Sequence, residues 1–314
     1  MSSNLEPTNS SGDEPPVPGD PSNKILETIF LGPNGMRAGW RAGLYLAMFV
    51  FFAALLQTIL KLVHLSPPAQ PGGGMAPGWL LAQELVLFAG ALAAAGVMAL
   101  IEGRSVAAYG LPWRGAFGAR FWQGGVWGIA QLSAIMLLIR ALGGYTFGTP
   151  ALHDGEVLRY AALWAVVFLA VSFAEEFLFR GYLLLTLATS LGFWPAALLF
   201  SLLFGAVHLR NPGEGPAGAL SVFAIAMFLC LTLRRTGDLW LAIGWHAAFD
   251  FGETYLYSVP NSGIVMQGHL LNASLHGPRW ISGGPIGPEG SAAAFAVLAV
   301  VFVVFNRLYR PRGT

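Results

Sequence analysis

Glu175 and Glu176 stand side by side near the end of an apolar run, AVVFLAVSFAEEFLFRGYLLL, with Arg180 four residues beyond the second of them. Further along, FGAVH sets Phe204 one helical turn before His208, and HAAFD sets His246 one turn before Asp250. Carboxylates and imidazoles are the side chains that take up and release protons, so these residues suit general acid–base work on a bound water. On a helix Glu176 and Arg180 share a face and can pair. Glu175 is turned off that face and is left free to act as a base. At the i,i+4 spacing Asp250 can accept an imidazole N–H of His246 and fix its tautomer. Two glutamates, two histidines and an aspartate are also groups that zinc accepts. There is no H-E-x-x-H pair, and Arg180 beside the glutamates argues against a cation in the same spot, so no cofactor is expected, with a metal such as zinc as the alternative.

The elements that must position these residues are membrane helices. The 314-residue chain is 55% hydrophobic and 11% charged, and its mean hydropathy is +0.61. Soluble domains carry about 25% charged residues. The composition predicts an all-α, polytopic transmembrane bundle of about eight helices: Trp40–Leu65, Trp79–Ile101, Phe121–Leu142, Leu158–Leu187, Phe193–Leu209, Ala217–Leu233, Leu239–Tyr257 and Ser291–Leu308. A carboxylate at mid-bilayer costs roughly 2.5–3.5 kcal/mol on insertion scales, so two together need a reason. With a rise of about 1.5 Å per residue, Glu175, His208, His246 and Asp250 fall roughly 10–22 Å into their helices, close enough to one layer to build one site.

Residues 1–38, rich in Ser, Pro, Gly and acids, read as a disordered cytoplasmic tail without the pattern of a secretory signal. Residues 39–310 form the transmembrane unit, with the motifs inside 158–257. The Gly- and Pro-rich connection 259–290, with Leu270, Trp280 and Ile281, reads as an outer cap folded onto the membrane surface. With both termini cytoplasmic, twelve of the 17 lysines and arginines fall inside and five outside, which favours that orientation in a cell membrane. The single cysteine, Cys230, excludes an internal disulfide. No basic patch tracks a phosphate backbone, so nucleic acid is not an expected partner. The expected partners are the lipid bilayer and a membrane-associated peptide or protein substrate.

At three motifs the chain resembles the CPBP family, the intramembrane CAAX proteases and bacteriocin-processing (Abi-type) proteins described as metalloproteases or glutamic endopeptidases. The matching residues are E-E-x-x-x-R at Glu175–Arg180, F-x-x-x-H at Phe204–His208 and H-x-x-x-N/D at His246–Asp250. The resemblance implies a metal-independent intramembrane endopeptidase cutting near the cytoplasmic side. Glu175 would be the general base, holding and deprotonating a water with His208. His246 and Asp250 would stabilise the oxyanion, and Glu176 and Arg180 would support the site. Asp250 stands where many members have asparagine. An ionised carboxylate only accepts hydrogen bonds, so Asp250 either carries a proton or orients His246 and leaves the donation to it. Two other readings use the same polar pocket: a non-catalytic membrane scaffold or bacteriocin immunity protein, and a proton-coupled transporter.

Overall fold

The computed structural model describes residues 29–32, 35–63, 75–211 and 213–310. Residues 1–28 of the expected tail lie outside the described residues, and residues 29–36 include a short hairpin that pairs Leu31–Gly32 with Gly35–Met36. The protein is an all-α, multi-pass membrane bundle. Its principal helices are α1 (Ala38–Leu62), α2 (Pro77–Glu102), α3 (Ala119–Ala141), α4 (Gly155–Glu176), α5 (Leu184–Leu191), α6 (Phe193–His208), α7 (Pro216–Thr236), α8 (Trp240–Phe251) and α9 (Ala292–Leu308). Among the described residues, five helical stretches are long and apolar enough to cross a membrane, α4 and α5 counting together as one of 37 residues. Val50, Phe51, Leu100, Val126, Leu202 and Val300 point outward from the bundle. An apolar exterior of this kind is what lipid contact requires.

The sequence suggests one long helix through the paired glutamates, and the structure bends it. Immediately after Glu176 the chain widens into a π turn, Phe177–Leu183, before α5 resumes. Gly181 carries the break with ψ −112°, outside helical values. A Cβ there would lie 3.0 Å from the Phe177 ring and 3.1 Å from the Tyr109 carbonyl, so glycine fits the tight passage. The turn is pinned from the side: the Tyr182 hydroxyl donates to Glu102 Oε1 at 2.5 Å, and its ring stacks on Tyr45 at 4.4 Å. A second π turn, Gly252–Leu256, comes after α8, directly beyond Asp250 and Phe251. Both helices that carry acidic motif residues therefore leave regular geometry just past the motif. Such bulges recur at functional sites.

Without a hydrophobic drive between helices in lipid, small residues allow close packing. α3 and α8 meet this way. A Cβ on Gly124 or Gly128 of α3 would overlap the backbone carbonyls of Leu241 or Trp245, and one on Gly244 of α8 would overlap the Phe121 carbonyl. Trp245 Nε1 donates to Gln131 Oε1 across the same contact at 3.2 Å. α8 also packs along α4, which brings His246 to the glutamates. The connection after α8 folds over one end of the bundle. Leu275 and Ser274 pair with Tyr145 and Thr146, Met266 bridges to Met75, and Trp164 Nε1 of α4 donates to the Gln267 carbonyl. Leu270 packs there, whereas Trp280 points outward.

Since the α3–α8 contact runs backbone to backbone, Gly244→Ala should cost about 1–3 kcal/mol of stability through overpacking. Gly125→Ala, whose new Cβ would meet its nearest atoms at 3.8 Å, should change stability by less than about 0.5 kcal/mol. Thermal unfolding in detergent compares the two. Equal losses would show that the contact is not limited by backbone approach.

Candidate active site

Glu176 and Arg180 are both sealed in the interior, and Arg180 Nη1 donates to Glu176 Oε1 at 3.0 Å. Burial of a charge without a partner is prohibitive, and this pair supplies each with the other. The same carboxylate oxygen takes a second hydrogen bond from Nδ1 of His246, at 2.9 Å. An ionised carboxylate only accepts, so Nδ1 carries the hydrogen in this contact. Arg180 lies over the ring of Phe204, its guanidinium carbon 4.2 Å from the centroid. Cation and aromatic face attract in this geometry. Phe204 thus supports the guanidinium as well as filling space.

The other nitrogen of His246 faces two carboxylates. Nε2 is 3.5 Å from Asp250 Oδ2 and 3.7 Å from Glu175 Oε2. Those separations leave it uncommitted to a short hydrogen bond. The closest holder of the ring is therefore Glu176, with Asp250 on the opposite nitrogen. Glu175 differs from its neighbour as its helical rotation suggested. Its side chain is 26% exposed, while that of Glu176 is fully enclosed. On α6, His208 Nδ1 lies 2.8 Å from the Phe204 carbonyl. A carbonyl can only accept, so this contact places the hydrogen on Nδ1 and leaves Nε2 with its lone pair in the neutral ring.

Glu175, His208, His246 and Asp250 all line a single cavity of about 300 Å³. α2, α4, α6, α7 and α8 contribute its walls, and Phe168, Trp245 and Phe249 make much of it apolar. Glu176 and Arg180 sit behind this wall. Five lining residues carry polar groups that the motifs did not point to: Glu84 on α2, Asn211 between α6 and α7, and Asn261, Ser262 and Glu289 from the connection between α8 and α9. Glu84 was discoverable, because a lone acid within WLLAQELVLF is the same energetic anomaly as Glu175. Glu289 lies among glycines and prolines and gave no signal. Its Oε2 accepts from the backbone N–H and the hydroxyl of Ser262, at 2.9 and 3.0 Å. Among the described residues no three His, Cys, Asp or Glu side chains gather in a geometry that would hold a metal ion.

Fold and site together define a membrane-embedded helical protein with an acid–base cavity. Residues 156–252 match the family described as type II CAAX prenyl endopeptidase Rce1-like, which bears out the resemblance read from the motifs. The match spans about a third of the chain and contains both glutamates, both histidines of the motifs and Asp250. The family so described is one of CAAX-type endopeptidases, that is, of peptide hydrolases. No curated protein matches the chain.

Outside the helical spans, Glu289 has a perturbed titration with a visible cause. Burial first, then the carboxylates of Asp250 and Glu214, push it from the ordinary 4.5 up to about 8, while the Ser262 donors pull the other way. Glu253 in the π turn also faces it. An acid whose folded pKa is raised binds its proton more tightly when folded, so its share of stability is complete below 4.5 and lost as pH climbs toward 8. Glu289→Gln keeps an acceptor for Ser262 and should reduce the fall in thermal stability across that window. Unfolding measured by tryptophan fluorescence at stepped pH would reveal an unchanged slope if Glu289 were not responsible.

Proposed function

We propose that the protein is an intramembrane endopeptidase in which Glu175 activates a water to attack a peptide bond. The observation that carries this reading is that Glu175, alone of the paired glutamates, reaches the cavity, together with His208, His246 and Asp250. Glu175 takes a proton from the water, held also by the free Nε2 of His208. The hydroxide equivalent adds to the carbonyl carbon, and the proton passes to the leaving amine as the C–N bond breaks. His246 faces the developing oxyanion through Nε2. That role requires a hydrogen on Nε2 while Nδ1 donates to Glu176, hence a ring carrying both protons. Glu176 and Arg180 hold the ring from behind as positioning residues. Asp250 flanks Nε2, where it balances the charge of such a ring. The substrate we propose is a membrane-associated peptide. The family's name refers to prenylated CAAX sequences, but nothing in this cavity demands a prenyl group.

The side of attack depends on the rim of the cavity. Met75, Asn211, Asn261, Ser262, Met266 and Glu289 come from three connections. On the eight crossings expected from the sequence, those connections lie at the end of the bundle opposite both termini. Cytoplasmic termini and a cut near the cytoplasmic side therefore exclude one another. The lysine and arginine count supports cytoplasmic termini. On that orientation the cavity is entered from the extracytoplasmic half of the membrane.

Glu175→Gln should lower peptide cleavage by about 10²–10⁴-fold, the usual worth of a general base. Purified protein and a peptide library provide the assay. Undiminished cleavage would remove Glu175 from the mechanism, and activity abolished by chelator and restored by zinc would replace it with a metal mechanism. Orientation is testable separately. Val265 is exposed on the rim connection and the native Cys230 is buried. Val265→Cys should react with a membrane-impermeant thiol reagent in intact cells. Labelling only after permeabilisation would invert the topology.

A further inference from the structure

The cavity gathers more carboxyl groups than the proposed reaction uses. Its lining includes Glu84, Glu175, Asp250 and Glu289, and among the described residues neither lysine nor arginine lines it. The buried cation nearest the site, Arg180, is spent on Glu176 behind the wall. His246 is held at Nδ1 by the same glutamate. No side chain of the described protein forms an ion pair with Glu84. It is 9% exposed, it lines the cavity, and its Oε2 has no hydrogen-bond partner. It sits within electrostatic reach of Glu175, His246 and Asp250. On the rim, Asn261 is also buried, with an unpartnered Nδ2. A carboxyl in the apolar part of a bundle marks a functional position whose partner should be named. Here the partner must come from outside.

The surroundings select the kind of cation. Leu80, Phe168, Val171 and Phe249 form apolar and aromatic walls beside the acids. Long basic side chains bury their methylene stems against such walls and present the charge at the tip. Aromatic faces add attraction for the head group. A bare metal ion would instead need several ligands converging on one point, which these residues do not provide.

We propose that Glu84, with Asp250 and Glu289, forms a subsite for the ammonium or guanidinium group of a lysine or arginine in the peptide substrate. The inference rests on the protease reading and assigns a specificity to its cavity. The enzyme then selects peptides with a basic residue close to the cleaved bond, although the site is embedded among apolar helices.

The test uses an apolar host peptide with lysine, norleucine or glutamate placed in turn at each position, and the full chain in lipid nanodiscs. For wild type, kcat/KM should favour lysine over norleucine by about tenfold or more at one position, as expected of a charge-assisted contact. In Glu84→Gln that ratio should fall toward one, and in Glu84→Lys the glutamate peptide should become the better substrate. A Glu84 that only supports the fold would slow all peptides alike and leave the ratio intact, which overturns the proposal, as does a wild-type ratio near one. Binding of fluorescent lysine and norleucine peptides to Glu175→Gln separates the two readings. Lysine-selective binding without cleavage by wild type retains the subsite and removes the protease. Cleavage without selectivity does the reverse, and failure of the lysine peptides to bind removes the subsite.

Discussion

A carboxylate sealed inside an apolar bundle must be neutralised where it stands, and Glu176 imposes that condition on its surroundings. Its oxygen collects Arg180 from its own helix and His246 from α8. Because removal of either partner leaves charge stranded in low dielectric, the three side chains act as one unit. The unit needs α8 near α4. It needs a turn after Glu176 that brings Arg180 back to the carboxylate, and an aromatic floor, Phe204, beneath the guanidinium. The glycine contact that fixes α8 against α3 serves the same end from the far side.

This arrangement divides the interior by charge. Behind the wall, cation and anion cancel. In front, the cavity keeps carboxylates and imidazoles with no lysine or arginine among the described residues. The adjacent glutamates lie one on each side of that wall. A difference of one residue in helical position separates a structural anion from one that water can reach.

The helices and their order were legible because apolar runs of this length have few other destinations. The pairing of Glu176 with Arg180 was legible because both sit on one helix at the right spacing. What escaped depends on contacts between elements. Spacing suggested Asp250 as the residue that fixes His246, yet the shorter contact comes from Glu176 on another helix. The bend after Glu176 was hidden because its residues are as apolar as those before it. Gly124, Gly128 and Gly244 carry no spacing signal of their own, because their role lies in the contact of two backbones. Glu289 and Ser262 reach the cavity by the path of a long connection, which no periodicity encodes.

The two π turns carry a further consequence. A π turn closes its hydrogen bonds one residue further along than an α turn, so each is in effect a helix holding a surplus residue. The surplus is absorbed inside Phe177–Leu183 and Gly252–Leu256, so the chain on either side keeps its facing. Loss of the surplus residue would return the chain to regular helix without turning the residues beyond it, whereas loss of one residue from the regular helix before the turn would rotate one part against the other by about 100°. The site is therefore guarded by the length of the helices that lead into these turns as much as by residue identity. A variant lineage could keep every motif residue and still lose the site through a single-codon deletion.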